Sequence, residues 1–283
     1  MRQMGSTQAP TVVVVTQRSW TARELATNTR GVVVVSEPGL FWPAVAADPD
    51  VAWWMPIHFA TRLHCEGDGP ALSAPGPGWL PAVPVELSGR EVTSCRATDL
   101  EHLPRTGVFW RKPAEAKVER FPAGWRTTAE VAGLNLCPGS WVQWTPTRLD
   151  LSVEFRCYVL EGAVATVSPY LLGDLTFYDL DEATLAVVST VDATAFARTV
   201  VASLGAAQPG AYVLDVGFDL LSGRWVVVEA NPAWCSAWYG CAIDAVLATI
   251  TASCRCEDEW RWVPDAELVH HARRAGPLHR RID

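Results

Sequence analysis

Acidic and amide side chains occur in residues 212–231 (YVLDVGFDLLSGRWVVVEAN), within strands that are otherwise apolar. Strand alternation places Glu229 and Asn231 on one face of the second strand, and Asp215 lies in the partner strand. A three-residue loop at 221–223, with its glycine in the left-handed conformation, puts Asp215 opposite Glu229; a two-residue turn puts them on opposite faces. Because carboxylate and amide oxygens are hard ligands for Mg²⁺, the segment predicts a magnesium site and the longer loop. The alternative is that both carboxylates face solvent.

A second group of polar residues lies in residues 153–162 (VEFRCYVLEG). Alternation places Glu154, Arg156 and Tyr158 on one face and the apolar residues on the other. An arginine beside a carboxylate on a rigid strand has a fixed direction, and its planar guanidinium suits a phosphoryl or acyl-phosphate oxygen. A surface ion pair between strands is the alternative interpretation.

Two lysines close together could contact phosphate. Lys112 ends the predicted strand 107–112 just before Pro113, and Lys117 follows on a loop. The chain contains neither G-x-x-x-x-G-K-[ST] nor G-x-G-x-x-G. A P-loop is therefore excluded, and a Rossmann nucleotide site is disfavoured.

The elements that must position these residues fall into two parts. Valine runs at 11–15 and 31–35 predict buried parallel strands, and the Gly- and Pro-rich stretch 66–84 predicts a connection. We therefore expect a small N-terminal α/β domain over residues 1–90 and a second domain over residues 91–283.

The second domain is predicted to be α+β, because hairpins alternate with helices. Strands are expected over 153–160 and 163–170, joined by an acidic-Gly turn, and the hairpin at 212–231 follows. Helices are expected from Asp192, as the cap, to Leu204 and over residues 242–253.

Composition narrows the functional class. The 283 residues are 49% hydrophobic, enough for a full core, and 23 basic against 31 acidic residues give a net charge of −8. Such a charge offers no broad cationic surface, so nucleic acid is not expected as a partner.

There is no apolar run of 18 residues or apolar leader, and the eight cysteines are dispersed. We therefore expect a soluble, cytoplasmic protein with reduced thiols and no membrane partner.

Taken in order, the motifs resemble the ATP-grasp superfamily: a strand-end Lys-Pro, the strand 141–144, E-x-R, a lone strand Asp, and E-x-N after a hairpin. The resemblance spans residues 107–239 and is nearest to compact, divergent members related to the peptide- and glutamate-ligating branch. It implies the ATP-grasp fold, in which two α+β lobes hold ATP between them, and an acyl-phosphate intermediate.

The resemblance also implies roles for individual residues. Lys112 matches the lysine that contacts the nucleotide phosphates, and Lys117 the loop group that closes over them. Val142, Gln143 and Trp144 match the hinge that binds adenine through its backbone.

For the reaction itself, Arg156 matches the arginine that steadies the transferred phosphoryl group, and Glu154 its positioning partner. Together with Lys112 these form the implied catalytic set. The residues that match the magnesium ligands are Asp215, Glu229 and Asn231.

The chain departs from the family pattern in two places. Residues 114–121 replace the glycine-rich loop, and Ser168-Pro169-Tyr170 stands where a second arginine is often found. These departures concern the anchoring of the carboxylate substrate more than ATP binding.

The expected function is that of an ATP- and Mg²⁺-dependent ligase joining a small-molecule or peptide carboxylate to an amine. The N-terminal third, with residues 234–238, is expected to shape the acceptor pocket. Two alternatives remain: an ATP-dependent phosphotransferase, and a catalytically degenerate nucleotide-binding module.

Overall fold

The structure is a computed structural model that describes residues 11–16, 25, 32–35, 51–67, 69–102, 106–115, 120–256, 259–276 and 278. Lys117 and most of the residues between the two valine strands lie outside these ranges. Within the described ranges, every helix is too short or too polar to cross a membrane.

The N-terminal strands form a parallel sheet in the order β2-β1-β3. Strand β1 is buried along its whole length, as its valines predict. The pairing of the two valine runs confirms the predicted parallel strands, and a third strand, not predicted, joins the other edge of β1. The strands are β1 (Val12–Val15), β2 (Val32–Val35) and β3 (Ala52–Trp54).

This sheet shares its core with the rest of the chain. The β1 valines belong to one apolar cluster with Tyr158, Trp234 and Val246. Helix α1 (Ile57–Glu66) follows β3 and ends at Gly67, whose φ of 81° is the left-handed conformation that glycine favours. The boundary at residue 90 stays a prediction.

The second sheet is four-stranded and antiparallel, in the order β4-β7-β5-β6. A small apolar core that includes Phe121, Val131 and Val142 covers one face. Helix α4 (Thr128–Ala132) begins with a capping box, in which Thr127 and Glu130 satisfy each other's backbone N–H groups. The strands are β4 (Thr93–Arg96), β5 (Phe109–Pro113), β6 (Gly124–Arg126) and β7 (Trp141–Thr145).

The third sheet is five-stranded and antiparallel, in the order β10-β9-β8-β11-β12. Phe155, Cys157 and Val159 pack in the core beneath helix α6 (Val191–Leu204), whereas Tyr158 belongs to the core on the other face. The predicted alternation along residues 153–160 is therefore confirmed. The strands are β8 (Leu151–Leu160), β9 (Ala163–Leu172), β10 (Leu175–Thr176), β11 (Ala211–Asp219) and β12 (Arg224–Asn231).

The β11–β12 loop differs from the prediction by one residue. Asp219 pairs with Arg224, so four residues form the loop, and Gly223 takes the left-handed conformation with φ 65°. A bulge at Val228 then shifts the register and brings Asp215 opposite Glu229. The predicted three-residue loop is wrong, but Asp215 and Glu229 face each other as predicted, because the bulge compensates for the extra loop residue.

The remaining helices cover the faces and edges of the sheets. Helix α6 begins two residues earlier than predicted, with Thr190 rather than Asp192 as its cap. The Gly- and Pro-rich stretch contains the short helix α2. The helices are α2 (Trp79–Ala82), α3 (Val85–Ser88), α4 (Thr128–Ala132), α5 (Glu182–Val187), α6 (Val191–Leu204), α7 (Ile243–Ser253) and α8 (Ala266–Ala275). Short 3₁₀ helices cover Ala97–His102, Phe177–Asp179 and Ala233–Cys235.

Candidate active site

Arg156 and Asp215 form a buried ion pair across β8 and β11. They are direct neighbours in the strand register, and the guanidinium donates from Nε (3.0 Å) and from a terminal nitrogen (2.7 Å) to the two carboxylate oxygens. Asp215 is fully buried and Arg156 is 8% exposed. The guanidinium also donates to the Ala237 carbonyl oxygen (3.2 Å), and its carbon lies 5.0 Å from the centre of the Tyr239 ring. These contacts fix Arg156 in one direction.

Asn231 connects Asp215 to the second carboxylate. Its amide nitrogen donates to Asp215 (3.1 Å) and to Glu229 (3.0 Å). Glu229 is in turn ion-paired with Lys112, which reaches across from the four-stranded sheet. The structure therefore brings together Asp215, Glu229 and Asn231, here called the carboxylate cluster, and adds a lysine from the opposing sheet.

The two carboxylates of the cluster have different electrostatic surroundings. Burial raises the pKa of Asp215, against the opposing effects of Arg156 and Asn231. Burial also acts to raise the pKa of Glu229, but Lys112 and the Asn231 amide outweigh it and lower that pKa to about 2. Glu229 is therefore ionised at neutral pH and carries a fixed negative charge next to Lys112.

Glu154 lies near the cluster but does not hold Arg156. The hydroxyl of Tyr170 donates to its carboxylate, whereas the side-chain acceptor for Arg156 is Asp215. Burial raises the pKa of Glu154 to about 7, and the charges of Asp215 and Glu229 add to this effect. The sequence placed Glu154 and Arg156 on the same face correctly, but Arg156 is held by its cross-strand neighbour.

A cavity of about 390 Å³ lies between the four- and five-stranded sheets, here called the central cavity. The Lys112–Glu229 pair, which joins the two sheets, is part of its wall. Much of the remaining wall is apolar or aromatic. Its lining includes Leu80, Val92, Trp110, Trp125, Gln143, Trp144, Thr147, Arg148, Leu149, Leu151, Glu154, Tyr170 and Val228.

The predicted hinge residues occupy different environments. Gln143 and Trp144 line the central cavity, but Val142 is buried in the small core. The Gln143 side chain donates to the Pro77 carbonyl oxygen (3.1 Å). Strand β7 is paired with β4 on one edge and with β5 on the other, so its backbone groups are engaged in the sheet.

Several residues of the site were not found from the sequence. Trp110 stands two residues before Lys112 in β5, so alternation would have placed it on the same face. Arg90 donates to the carbonyl oxygens of Val227 (2.9 Å) and Val228 (2.8 Å) and so holds the bulge, but it lies far away in the chain. Tyr239, with a φ of 50°, has no local sequence signal.

Two sheets with a cavity between them, and a Lys–Glu pair in the cavity wall next to Asp215 and Asn231, are typical of the ATP-grasp fold. A sequence profile described as ATP-grasp domain, R2K clade family 2, matches residues 87–249, more than half of the chain. The chain belongs to this family. The predicted ATP-grasp resemblance and fold are thereby confirmed, whereas the separate N-terminal domain stays a prediction.

Solved structures give more distant likenesses. One is the RimK domain protein ATP-grasp from Sphaerobacter thermophilus DSM 20745, with 12% identity over 86% of this chain and 98% of that chain and a TM-score of 0.45. N5-carboxyaminoimidazole synthetase from Staphylococcus aureus, complexed with ADP, has 12% identity over 90% and 78% of the two chains and a TM-score of 0.41. L-amino acid ligase from Bacillus licheniformis has 11% identity over 80% and 68%, with a TM-score of 0.41. No curated protein sequence matches the chain.

Proposed function

We propose that this protein is an ATP-dependent carboxylate–amine ligase that forms an amide bond through an acyl phosphate. The observation that supports it best is the meeting of Lys112 and Glu229, from two different sheets, in the wall of the central cavity. A lysine opposite a carboxylate cluster is suited to hold a polyphosphate with its cation, and the rest of the cavity suits a flat apolar base.

The nucleotide is placed along the central cavity, with its phosphates at Lys112. The base lies among the apolar residues, which include Trp110 and Trp144. Because the β7 backbone is engaged along both edges, we assign the backbone contact with adenine to the segment after the strand, at residues 147–149, rather than to residues 142–144. Lys117 keeps its proposed role as a loop group near the phosphates.

The donor set fits a magnesium ion. Asp215, Glu229 and Asn231 offer two carboxylates and an amide, and the Asn231 amide group lies within hydrogen-bonding distance of both carboxylates. Such hard oxygen donors are those that Mg²⁺ takes up together with nucleotide phosphates. When bound, the ion would neutralise charge on the phosphate oxygens.

The chain's own residues would then act mainly by positioning and by charge. Lys112 binds the phosphates, and Arg156 holds Asp215 in place while adding positive charge near the transferred group. The substrate carboxylate oxygen forms a bond to the γ-phosphorus as the bond to ADP breaks. The amine then attacks the acyl carbon, loses a proton and releases phosphate, provided that the cavity excludes water.

Trapping of the activated acid tests this proposal. The full-length protein would be incubated with ATP, Mg²⁺, a panel of carboxylic acids and hydroxylamine, and hydroxamate and ADP would be measured. We expect equal amounts of both for an accepted acid, little product for Glu229→Gln, and wild-type amounts for Glu182→Gln, which changes an exposed glutamate on α5. ADP formation without any hydroxamate across the panel would contradict the ligase assignment.

A phosphotransferase is the second candidate, and Glu154 is the observation that favours it. A hydroxyl acceptor requires a general base, and a carboxyl with a pKa of about 7 in the cavity wall is suited to that role. This function predicts a stable phosphoester product and loss of its formation in Glu154→Gln. The hydroxamate assay separates the two candidates, because a phosphoester does not react with hydroxylamine to form hydroxamate.

A further inference from the structure

Arg90 binds the backbone of β12 immediately before Glu229. One terminal nitrogen of its guanidinium donates to the Val227 carbonyl oxygen (2.9 Å), and the other donates to the Val228 carbonyl oxygen (2.8 Å). Val228 is the extra residue at the bulge, and β12 forms an edge of the five-stranded sheet. Because a bulge takes backbone groups out of the regular ladder, a side chain can bind them there. The guanidinium therefore fixes the two residues that precede Glu229.

The segment that carries Arg90 is itself packed closely against β12. Helix α3 ends at Gly89, which has the left-handed φ of 70°. A Cβ atom at this position would lie 2.7 Å from a Cγ atom of Val226, so glycine allows the close approach. Arg90 also donates to the Ser88 carbonyl oxygen (2.9 Å), and the Ser88 hydroxyl donates to the Arg90 carbonyl oxygen (2.7 Å). These contacts hold the guanidinium in one orientation relative to the strand.

Arg90 is charged at neutral pH and forms part of the wall of the central cavity. Burial lowers the pKa of Arg90 to about 10, and the negative charges of Glu229, Glu154 and Asp219 act in the opposite direction. A charged donor forms stronger hydrogen bonds to carbonyl oxygens than a neutral one. The planar guanidinium also offers two nitrogens in a fixed geometry, whereas a lysine has one nitrogen on a flexible chain. Arginine is therefore suited to hold two successive carbonyl groups.

We propose that Arg90 is a positioning residue for the metal and nucleotide site, because it holds the bulge that directs Glu229 toward Lys112 and Asn231. Without the bulge, the register with β11 shifts by one residue, and the side chain of Glu229 turns to the other face of the sheet. The expected effect on binding rests on the proposed ligase function. The position of Glu229, however, can be tested without any nucleotide.

Urea denaturation of the full-length protein tests the positioning role in the absence of ligand. Lys112→Met would be introduced into the wild type and into Arg90→Lys, which keeps the charge but loses the planar pair of donors. We expect Lys112→Met to lower the urea midpoint of the wild type by about 0.2 M. In Arg90→Lys it should have little effect, because the Lys112–Glu229 pair is already broken there. An equal effect in both backgrounds would overturn the inference, and Arg90→Gln is the second background if Arg90→Lys does not fold.

Titration with a non-hydrolysable ATP analogue at increasing Mg²⁺ concentrations measures the consequence for binding. We expect the Mg²⁺ concentration for half-maximal binding to rise about 10-fold in Arg90→Lys, since a residue that orients a metal ligand has an effect of this order. Arg198→Met, on the exposed face of α6, should bind as the wild type does. An unchanged Mg²⁺ dependence in Arg90→Lys would overturn the inference. Absence of nucleotide binding in the wild type would count against the ligase proposal alone, because urea denaturation still decides whether Arg90 positions Glu229.

Discussion

The two sheets that enclose the central cavity contribute to the site in different ways. The five-stranded sheet supplies Asp215, Arg156 and Asn231, which are buried or half-buried and hydrogen-bonded to one another within the sheet. The four-stranded sheet supplies Lys112 and Trp110, which contact the opposite side of the cavity from a partly exposed strand. Of the polar contacts described above, only Lys112–Glu229 joins the two sheets at the cavity.

The difference indicates that one half of the site is organised before any ligand binds and that the other half is adjustable. Side chains held by neighbours in the same sheet keep their geometry, and such preorganisation is what stabilises a developing charge. Lys112 depends on a single partner across the cleft, so a nucleotide phosphate can replace that partner.

The largest expected effect is on stability when a carboxylate of the cluster is removed. Asp215→Ala leaves Arg156 buried without its partner, and we expect a loss of about 3–5 kcal/mol in the free energy of unfolding. Glu229→Ala leaves Lys112, whose side chain is 22% exposed and can turn to water, so the loss should be smaller than in Asp215→Ala. Urea denaturation of both variants measures the difference, and equal losses would contradict the contrast.

The next effect is the pH dependence of stability that Glu154 contributes. Its pKa rises from 4.5 in the unfolded chain to about 7 in the folded protein, because the folded state favours the protonated carboxyl group. The stabilisation from this protonated group is therefore complete below pH 4.5 and is lost as the pH rises through 7. The loss is of the order of 3 kcal/mol. Glu115 has a similarly raised pKa of about 7, so Glu154→Gln should remove about half of the change in this window. Denaturation at pH 4.5 and pH 8 gives the difference in the free energy of unfolding between the two pH values. If this difference is the same in Glu154→Gln as in the wild type, the assigned pKa is excluded.

A smaller effect is expected on nucleotide binding when Lys112 is neutralised. Lys112→Met removes one charge from the phosphate end of the cavity, and we expect an affinity about 10- to 100-fold weaker for a non-hydrolysable ATP analogue. Arg198→Met, on the exposed face of α6, is the control for the loss of one positive charge. If both variants bind as the wild type does, Lys112 does not contact the phosphates.

The smallest effect concerns the aromatic residues at the cavity wall. Trp110 is 38% exposed and packs against Trp125 with ring centres 6.1 Å apart. Trp110→Ala should weaken nucleotide binding by about 3- to 10-fold, the effect of losing one stacking contact, without changing the unfolding midpoint. Trp225→Ala, in an aromatic cluster of the five-stranded sheet away from the cavity, should instead lower stability and leave affinity unchanged.

Sequence reasoning could assign the faces of the strands, because alternation has a period of two and needs no tertiary information. It therefore grouped Glu154 with Arg156, and Glu229 with Asn231. The placement of Asp215 opposite Glu229 needed in addition an assumed loop length. Sequence reasoning could not find the bulge at Val228, because Arg90 stabilises the bulge from another part of the chain.

Contacts set by three-dimensional packing were also beyond prediction. Arg156 is held by Asp215, its neighbour on the adjacent strand, and not by Glu154 two residues away. The backbone contact of residues 142–144 with adenine stays a prediction, but the pairing of β7 with both neighbours, which only the folded sheet shows, engages the backbone of these residues. The four-residue loop before β12 was mistaken for a three-residue loop for the same reason, since the bulge compensates for the extra residue.

Calorimetric titration with a non-hydrolysable ATP analogue, with and without Mg²⁺, tests the central claim most directly when it is repeated on Glu229→Gln. The account predicts that the wild type binds the analogue in a Mg²⁺-dependent manner and that the variant binds it at least about 10-fold more weakly. Absence of binding to the wild type, or Mg²⁺-independent binding of equal strength in both proteins, would contradict a nucleotide site between the two sheets.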